Sequence, residues 1–328
     1  MEYRRLGNSG LMMSALSYGS WLTFDAASAE VQKKCMYAAY DAGVNFFDNA
    51  EVYAGGESEV VMGEILAKAG WDRDSYIISS KVFWGGNKPT QKGLSRKHIV
   101  DACNSALKRL NVEYIDLYYC HRPDANTPVE ETVRTMNNLI EQGKILYWGT
   151  SEWPADLITQ AHAVAKEHRL VGPTMEQPQY NMLHRDRMEK EYLRLFKHFG
   201  MGTTIWSPLA SGILTGKYLN GIPEGSRFSK QGMEWLKDIY LNDNVDSLNQ
   251  KVRKLQKLSQ DLGMTLPQLG ICWCMENSNV STVILGASRT EQLTETLKAE
   301  SLRTKLTKEV MTQIDLILEN VPAPERVF

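Results

Sequence analysis

The chain has 328 residues, with 37 Lys and Arg against 39 Asp and Glu, a formal charge of −2, and 43% hydrophobic residues. That length allows one large domain or two ordinary ones and is ample for a buried core. The balanced charge excludes a general electrostatic attraction to nucleic acid or anionic lipid, and 23% charged with 9% aromatic residues excludes a disordered chain.

Along the chain, Met1-Glu2-Tyr3-Arg4-Arg5 is followed by Leu6-Gly7-Asn8-Ser9-Gly10 rather than by an unbroken apolar run, so no signal peptide is expected. The turn residues in Tyr3–Leu11 predict a short hairpin. Strands are then expected at Ala15–Tyr18, Asn45–Asp48, Ser75–Ser80, Ile115–Cys120, Leu146–Thr150, Thr174–Gln177, Thr203–Trp206 and Ser281–Leu285. Amphipathic helices are expected between them at Ala29–Ala42, Ser58–Ala69, Arg96–Leu110, Pro128–Gln142, Pro154–Glu167, Arg187–Phe199 and Val252–Leu262. Gly43, Gly70, Asn111, Gly143, Gly200 and Gly263 stand where such helices stop.

Strands separated by helices imply parallel pairing, and eight such units fit a (β/α)8 TIM barrel better than an open sheet. The hairpin would cap its floor. No linker or short repeat interrupts the pattern, so residues 1–328 read as one domain. The longest irregular piece, Pro208 to about Lys230, carries four glycines and two prolines and follows the seventh strand, a place where barrels tend to bind phosphate.

Two charge-free stretches, Leu6–Phe24 and Phe199–Gly216, are broken by Gly, Ser and Thr and make poor membrane spans, so no membrane insertion is expected. Five cysteines without paired spacing suggest a reduced, cytoplasmic protein. Cys272-x-Cys274 lies in an apolar helical stretch and reads as core, and no metal site is expected. Gly212-Ile213-Leu214-Thr215-Gly216-Lys217-Tyr218 is one residue short of a P-loop and lacks Ser or Thr after Lys, which argues against nucleoside triphosphate binding.

Barrel enzymes place their chemistry where strands end. Asp48 closes the second expected strand, Tyr53 lies five residues further on, Lys81 follows the third and His121 the fourth. Singly, each has a plainer reading as a cap, rim aromatic, solvated cation or turn anchor. Together they are the parts needed to protonate a carbonyl oxygen while hydride reaches its carbon. A phenol alone is a weak acid; an ammonium lowers its pKa, a carboxylate holds the ammonium, and an imidazole orients the carbonyl.

On these residues, Asp48-Asn49-Ala50-Glu51-Val52-Tyr53, Lys81 and His121-Arg122-Pro123-Asp124, the chain resembles the aldo-keto reductase superfamily. Passages such as Thr127–Arg134, Tyr147–Trp153, Trp206–Gly212, Gly221–Arg227 and Trp235–Asp238 are similar to its voltage-gated potassium channel β-subunit-like branch, of plant, fungal and microbial type. The resemblance implies the barrel with its hairpin cap and a C-terminal extra helix. It also implies NADPH-dependent reduction of aldehydes, and of some ketones, to alcohols. Tyr53 would be the proton donor, tuned by Lys81; Asp48 would pair with Lys81, and His121 would hold the carbonyl. Hydride would come from the nicotinamide C4.

NADPH bound in the family's extended pose would explain the lack of a Gly-x-Gly-x-x-Gly fingerprint. The resemblance gives Ser20, Trp21 and Asp48 to the nicotinamide region, Ser151 and Gln177 to the carboxamide, and Trp206 to stacking on the ring. Ser207, Pro208, Leu209, Ala210, Ser211 and Lys217 would wrap the pyrophosphate. Arg227 with Gly286, Ser288, Arg289 and Gln292 would meet the 2′-phosphate, and Glu295 the adenine amine. Those cations favour NADPH over NADH.

The sequence departs from the family pattern in three places: His121 stands where animal channel subunits carry Asn, Glu152 where they carry an Arg beside the cofactor serine, and Thr296 where an adenine-contacting Asn is common. The first strengthens a reductase. The alternative implied by the branch is a potassium channel β-type regulatory subunit, a homotetramer that binds a cation channel and uses NADP(H) as redox sensor. Trp21, Phe24, Val52, Phe83 and Trp84 suggest an apolar or aromatic carbonyl substrate.

Overall fold

A computed structural model describes residues 1–21, 28–230, 234–240 and 245–323. Eight parallel strands close into a barrel. In chain order they are β3 (Leu16–Gly19), β4 (Phe46–Asp48), β5 (Ile77–Val82), β6 (Ile115–Cys120), β7 (Ile145–Thr150), β8 (Met175–Glu176), β9 (Gly202–Ile205) and β10 (Thr282–Leu285), with β10 beside β3 completing the ring. Alternation of side chains along each strand divides the core in two. Phe46, Ile77, Leu117, Tyr119, Met175 and Ile284 fill the barrel, whereas Phe47, Ile78, Tyr118 and Cys120 face the helical layer.

Strands β1 (Tyr3–Arg5) and β2 (Met12–Ser14) form the antiparallel hairpin, whose Leu6 and Met13 join the interior cluster and plug it from below. The turn sits hard against the backbone just past Phe199: a Cβ on Gly7, at φ 55°, would lie 2.2 Å from the Gly200 carbonyl oxygen. Only glycine fits there.

The outer layer begins with α1 (Ala29–Asp41), α2 (Glu57–Ala69), α3 (Arg96–Leu110), α4 (Val129–Glu141) and α5 (Ala155–His168). It continues with α6 (Leu193–Phe199), α7 (Glu234–Tyr240), α8 (Val245–Asp261) and α9 (Leu266–Glu276). The last described elements are α10 (Thr290–Leu297), α11 (Ala299–Leu302) and the extra C-terminal α12 (Lys308–Leu318). Residues 43, 70, 111, 143, 200 and 263, read as stop signals, all have positive φ.

The expected helix over Arg187–Phe199 is broken. Arg187–Glu191 forms a π turn before α6, because the Arg187 guanidinium and the Tyr192 hydroxyl both donate to the Trp153 carbonyl, at 2.9 and 2.5 Å. Helix α8 starts earlier than the expected Val252, and Lys81 lies inside β5 rather than after it. The long piece after β9 contains 3-10 turns at Ala210–Thr215 and Arg227–Ser229. All five cysteines are free and buried. Among the described residues no helix is long and apolar enough to cross a membrane, and no His/Cys/Asp/Glu cluster suits a metal ion.

Candidate active site at the barrel mouth

Residues two apart on a strand share a face. Phe46 and Ile77 point into the barrel, so Asp48 and Ser79 do too, one layer nearer the C-terminal mouth, and Lys81 a layer further. Leu117 and Tyr119 set the same course for His121. Tyr53 arrives differently. After β4 the Asn49 side chain accepts from the Ala50 N–H at 2.9 Å and donates to the Ser58 carbonyl at 3.0 Å. A tight turn, with Ala54, Gly55 and Gly56 at positive φ, then lays Tyr53 across the mouth.

The four side chains meet. Lys81 Nζ donates to Asp48 Oδ2 at 2.7 Å, to the Asn49 carbonyl at 2.8 Å and to Tyr53 OH at 3.1 Å, so all three ammonium hydrogens are used. The Tyr53 and His121 ring centroids are 5.9 Å apart. Lys81 is fully buried, and such a charge persists only when satisfied. Burial pushes the ammonium toward neutrality, but Asp48 and Tyr53 outweigh it and raise its pKa. Asp48 is held by further donors: Ser79 Oγ reaches Oδ1 at 2.8 Å and Gln177 Nε2 at 3.1 Å.

One electrostatic expectation is reversed. Burial raises the Tyr53 phenol more than Lys81 lowers it, so its pKa stands above 10.0. The hydroxyl therefore keeps its proton, the state a general acid requires. Burial, Lys81 and Arg122 hold the His121 imidazole well below 6.5, which leaves it neutral. Among the described residues its buried Nδ1 has no hydrogen-bond partner. With a raised acid and a neutral imidazole, kcat for the carbonyl reduction that the sequence resemblance implies is expected to be flat between the ordinary imidazole value of 6.5 and the ordinary phenol value of 10.0. A pH–kcat profile with an inflection near 6.5 that His121→Gln abolishes would contradict this.

Around this centre, Ser20 Oγ donates to the Asp48 carbonyl at 3.0 Å, and Trp21 packs edge-on to Trp206 at 6.0 Å. Ser151 Oγ donates to the Gln177 carbonyl at 2.9 Å, while Gln177 Nε2 is shared between Asp48 and Thr204. Trp206 Nε1 donates to Glu152 Oε1 at 2.9 Å. Phe83 and Trp84 pack together at 4.8 Å, and Trp84 lies 5.1 Å from His121. Val52 is half-buried just before Tyr53; Phe24 lies outside the described residues.

The loop beyond Trp206 suits an anion. Ser207, Ala210, Ser211 and Gly212 all have positive φ, and the turn closes on itself: the Ala210 N–H donates to the Ser207 carbonyl, the Ser211 N–H to Ser207 Oγ and the Gly212 N–H to the Leu209 carbonyl. Pro208 and Leu209 bridge this run, and among the described residues the buried Ser211 Oγ has no partner. Burial and Arg227 together depress the Lys217 ammonium, and burial depresses Arg227. Among the described residues neither has a carboxylate partner. The Arg227 guanidinium lies 5.3 Å over the Trp21 ring.

Gly286 and Ser288 follow β10. Ser288 N and Oγ both donate to Gln292 Oε1 at 3.2 Å, and exposed Arg289 caps α10. Glu295 is exposed, its carbonyl accepting from Gln268 Nε2 at 2.9 Å. Among the described residues no hydrogen bond or ion pair joins this turn to Lys217 or Arg227. The Ser211 hydroxyl and the two cations, none of them partnered among the described residues, fit a phosphate-bearing cofactor, and the Trp206 indole fits its flat ring.

Sequence reasoning missed three members of this assembly. Ser79 braces Asp48 and was signalled by its position two residues before Lys81. Glu152 anchors Trp206 across 54 residues, with no local signal. Arg122 enters the mouth beside His121, where its guanidinium depresses the imidazole.

Comparison with known proteins agrees with this geometry. Residues 15–319 match the model of the Aldo/keto reductase family. Two plant proteins, each named a probable voltage-gated potassium channel subunit beta, are similar over nearly their whole length. The one from Oryza sativa subsp. japonica and the one from Arabidopsis thaliana are each 49% identical over 324 residues, covering 98% of this chain and 98% of the relative.

Proposed function

The chain belongs to the aldo/keto reductase family, and from that premise we propose that it reduces aldehydes, and some ketones, to alcohols with NADPH. The observation that carries this reading is Lys81, buried and bonded at once to Asp48 Oδ2 at 2.7 Å and to Tyr53 OH at 3.1 Å. The bound cofactor supplies hydride. The protein's part is positional and acid–base. Neutral His121 holds the carbonyl oxygen, and Tyr53 delivers its proton to that oxygen as negative charge develops. Lys81 stabilises the phenolate left behind, and Asp48 keeps the ammonium in place. Trp206, fixed by Glu152, gives the ring a platform, Ser151 and Gln177 receive the carboxamide, and the loop from Ser207 to Ser211 with Lys217 receives the pyrophosphate.

Deuterium transfer tests the reading. With NADPH carrying deuterium at both nicotinamide C4 positions and benzaldehyde as substrate, the purified protein should give benzyl alcohol carrying one deuterium on its carbinol carbon. No alcohol, or alcohol without label, would defeat it. Arg227 supports NADPH over NADH, since only NADPH brings a 2′-phosphate to meet its charge. Arg227→Ala is expected to raise the KM for NADPH about 10-fold or more and to leave NADH little changed. Equal effects on both cofactors would remove the 2′-phosphate assignment.

The names of the two plant relatives favour a second reading, a subunit of a potassium channel, in which bound NADP(H) would serve as the redox sensor. A homotetramer in solution that binds a channel's cytoplasmic segment would support it. This chain's His121 completes the reductase set and favours the first.

A further inference from the structure

Most part-buried arginines of this chain are paired with a carboxylate. Arg73 meets Asp116, Arg109 meets Glu59, Arg185 meets Glu189 and Asp315, and Arg187 meets Glu152. Arg122 is half-buried at the mouth. Its Nη1 donates to the His121 carbonyl at 2.5 Å and to Ser151 Oγ at 3.3 Å. Among the described residues its Nε and Nη2 make no hydrogen bond, and no carboxylate lies within ion-pair distance. A guanidinium has five N–H donors in a fixed fork that matches a carboxylate with two parallel bonds.

The position of this fork matters. Its Cζ lies 5.5 Å from the Trp84 ring, and the His121 ring lies 5.1 Å from the same indole. The group that receives the carbonyl and the unpaired cation are thus neighbours on one aromatic wall. A planar substrate lying along Trp84 with its carbonyl at Tyr53 and His121 has Arg122 within reach of a substituent a few bonds away.

Resting on the reductase reading above, we propose that Arg122 selects aldehydes carrying a carboxylate, above all flat aromatic ones. Trp84, Phe83 and Trp21 take the ring, and Arg122 takes the anionic substituent. This departs in one respect from the wholly apolar substrate that the mouth's aromatic residues suggest. It also gives a reason for a cation at the mouth that would otherwise bury charge without a partner.

The test compares 3- and 4-carboxybenzaldehyde with their methyl esters, which keep shape and carbonyl chemistry but remove the charge. For at least one isomer the wild-type kcat/KM for the acid should exceed that for the ester about 10- to 100-fold. Arg122→Met should bring that ratio to about one, and Arg122→Lys should leave it in between, since an ammonium keeps the charge without the fork. Damage to the Ser151 and His121 contacts affects acid and ester alike and cancels in the ratio. A wild-type ratio at or below one overturns the proposal without need of any variant, as does a ratio that Arg122→Met leaves unchanged. The latter would place Arg122 with the cofactor or the fold. Turnover of neither acid, ester nor 4-nitrobenzaldehyde would instead defeat the reductase reading, and this inference with it.

Discussion

Replacing Tyr53 by Phe is expected to cut kcat about 1,000-fold while leaving NADPH affinity nearly unchanged, in line with the loss of a positioned general acid. The substitution keeps the ring that packs near His121 and under Lys81, at 5.9 and 4.7 Å, and removes only the hydroxyl. Lys81 loses one of three acceptors but keeps Asp48 and the Asn49 carbonyl. The barrel should therefore fold as before, and cofactor titration should match wild type. Turnover within about tenfold of wild type would assign the proton to another group.

Lys81→Met is expected to act on both rate and stability. It strips Asp48, whose side chain is only 4% exposed, of its counter-charge, leaving Ser79 and Gln177 as donors to a buried anion. Breaking a buried pair from one side costs about 3–5 kcal/mol, so thermal unfolding should fall by several degrees. Turnover should fall at least as far as in Tyr53→Phe, because the phenolate formed on proton transfer loses its stabilising cation. Adding Asp48→Asn removes the stranded charge. The double variant should regain much of the lost stability and none of the activity. A single variant as stable as wild type would show that the pair is not held as the geometry implies.

Much of this was legible in the chain. The eight barrel strands fall within two residues of their expected positions, because short apolar runs bounded by glycine and asparagine stops leave little room for error. Lys81 shows the limit. Ser79-Ser80-Lys81 reads as the end of an apolar strand, yet these polar residues continue it: Ser79 and Lys81 turn inward to Asp48, and Ser80 outward to Glu59 at 2.6 Å. Periodicity places residues on faces but does not show that a buried partner makes a charge tolerable. Tyr53 is a similar case. That Lys81 stands beside it followed from strand order, but the excess of burial over attraction depends on how deeply the turn inserts the ring. The π turn at Arg187–Glu191 and the Glu152–Trp206 bond rest on partners far away in sequence, which no local pattern announces.

Formation of alcohol by the protein itself tests the account most directly. The wild-type protein is mixed with NADPH and a reactive aldehyde, nitrobenzaldehyde or methylglyoxal, while cofactor oxidation, alcohol product and NADPH binding are followed in parallel. The account predicts tight NADPH binding and one alcohol for each NADPH oxidised. Tight binding with no alcohol from any aldehyde would contradict it and turn the same mouth into a cofactor sensor.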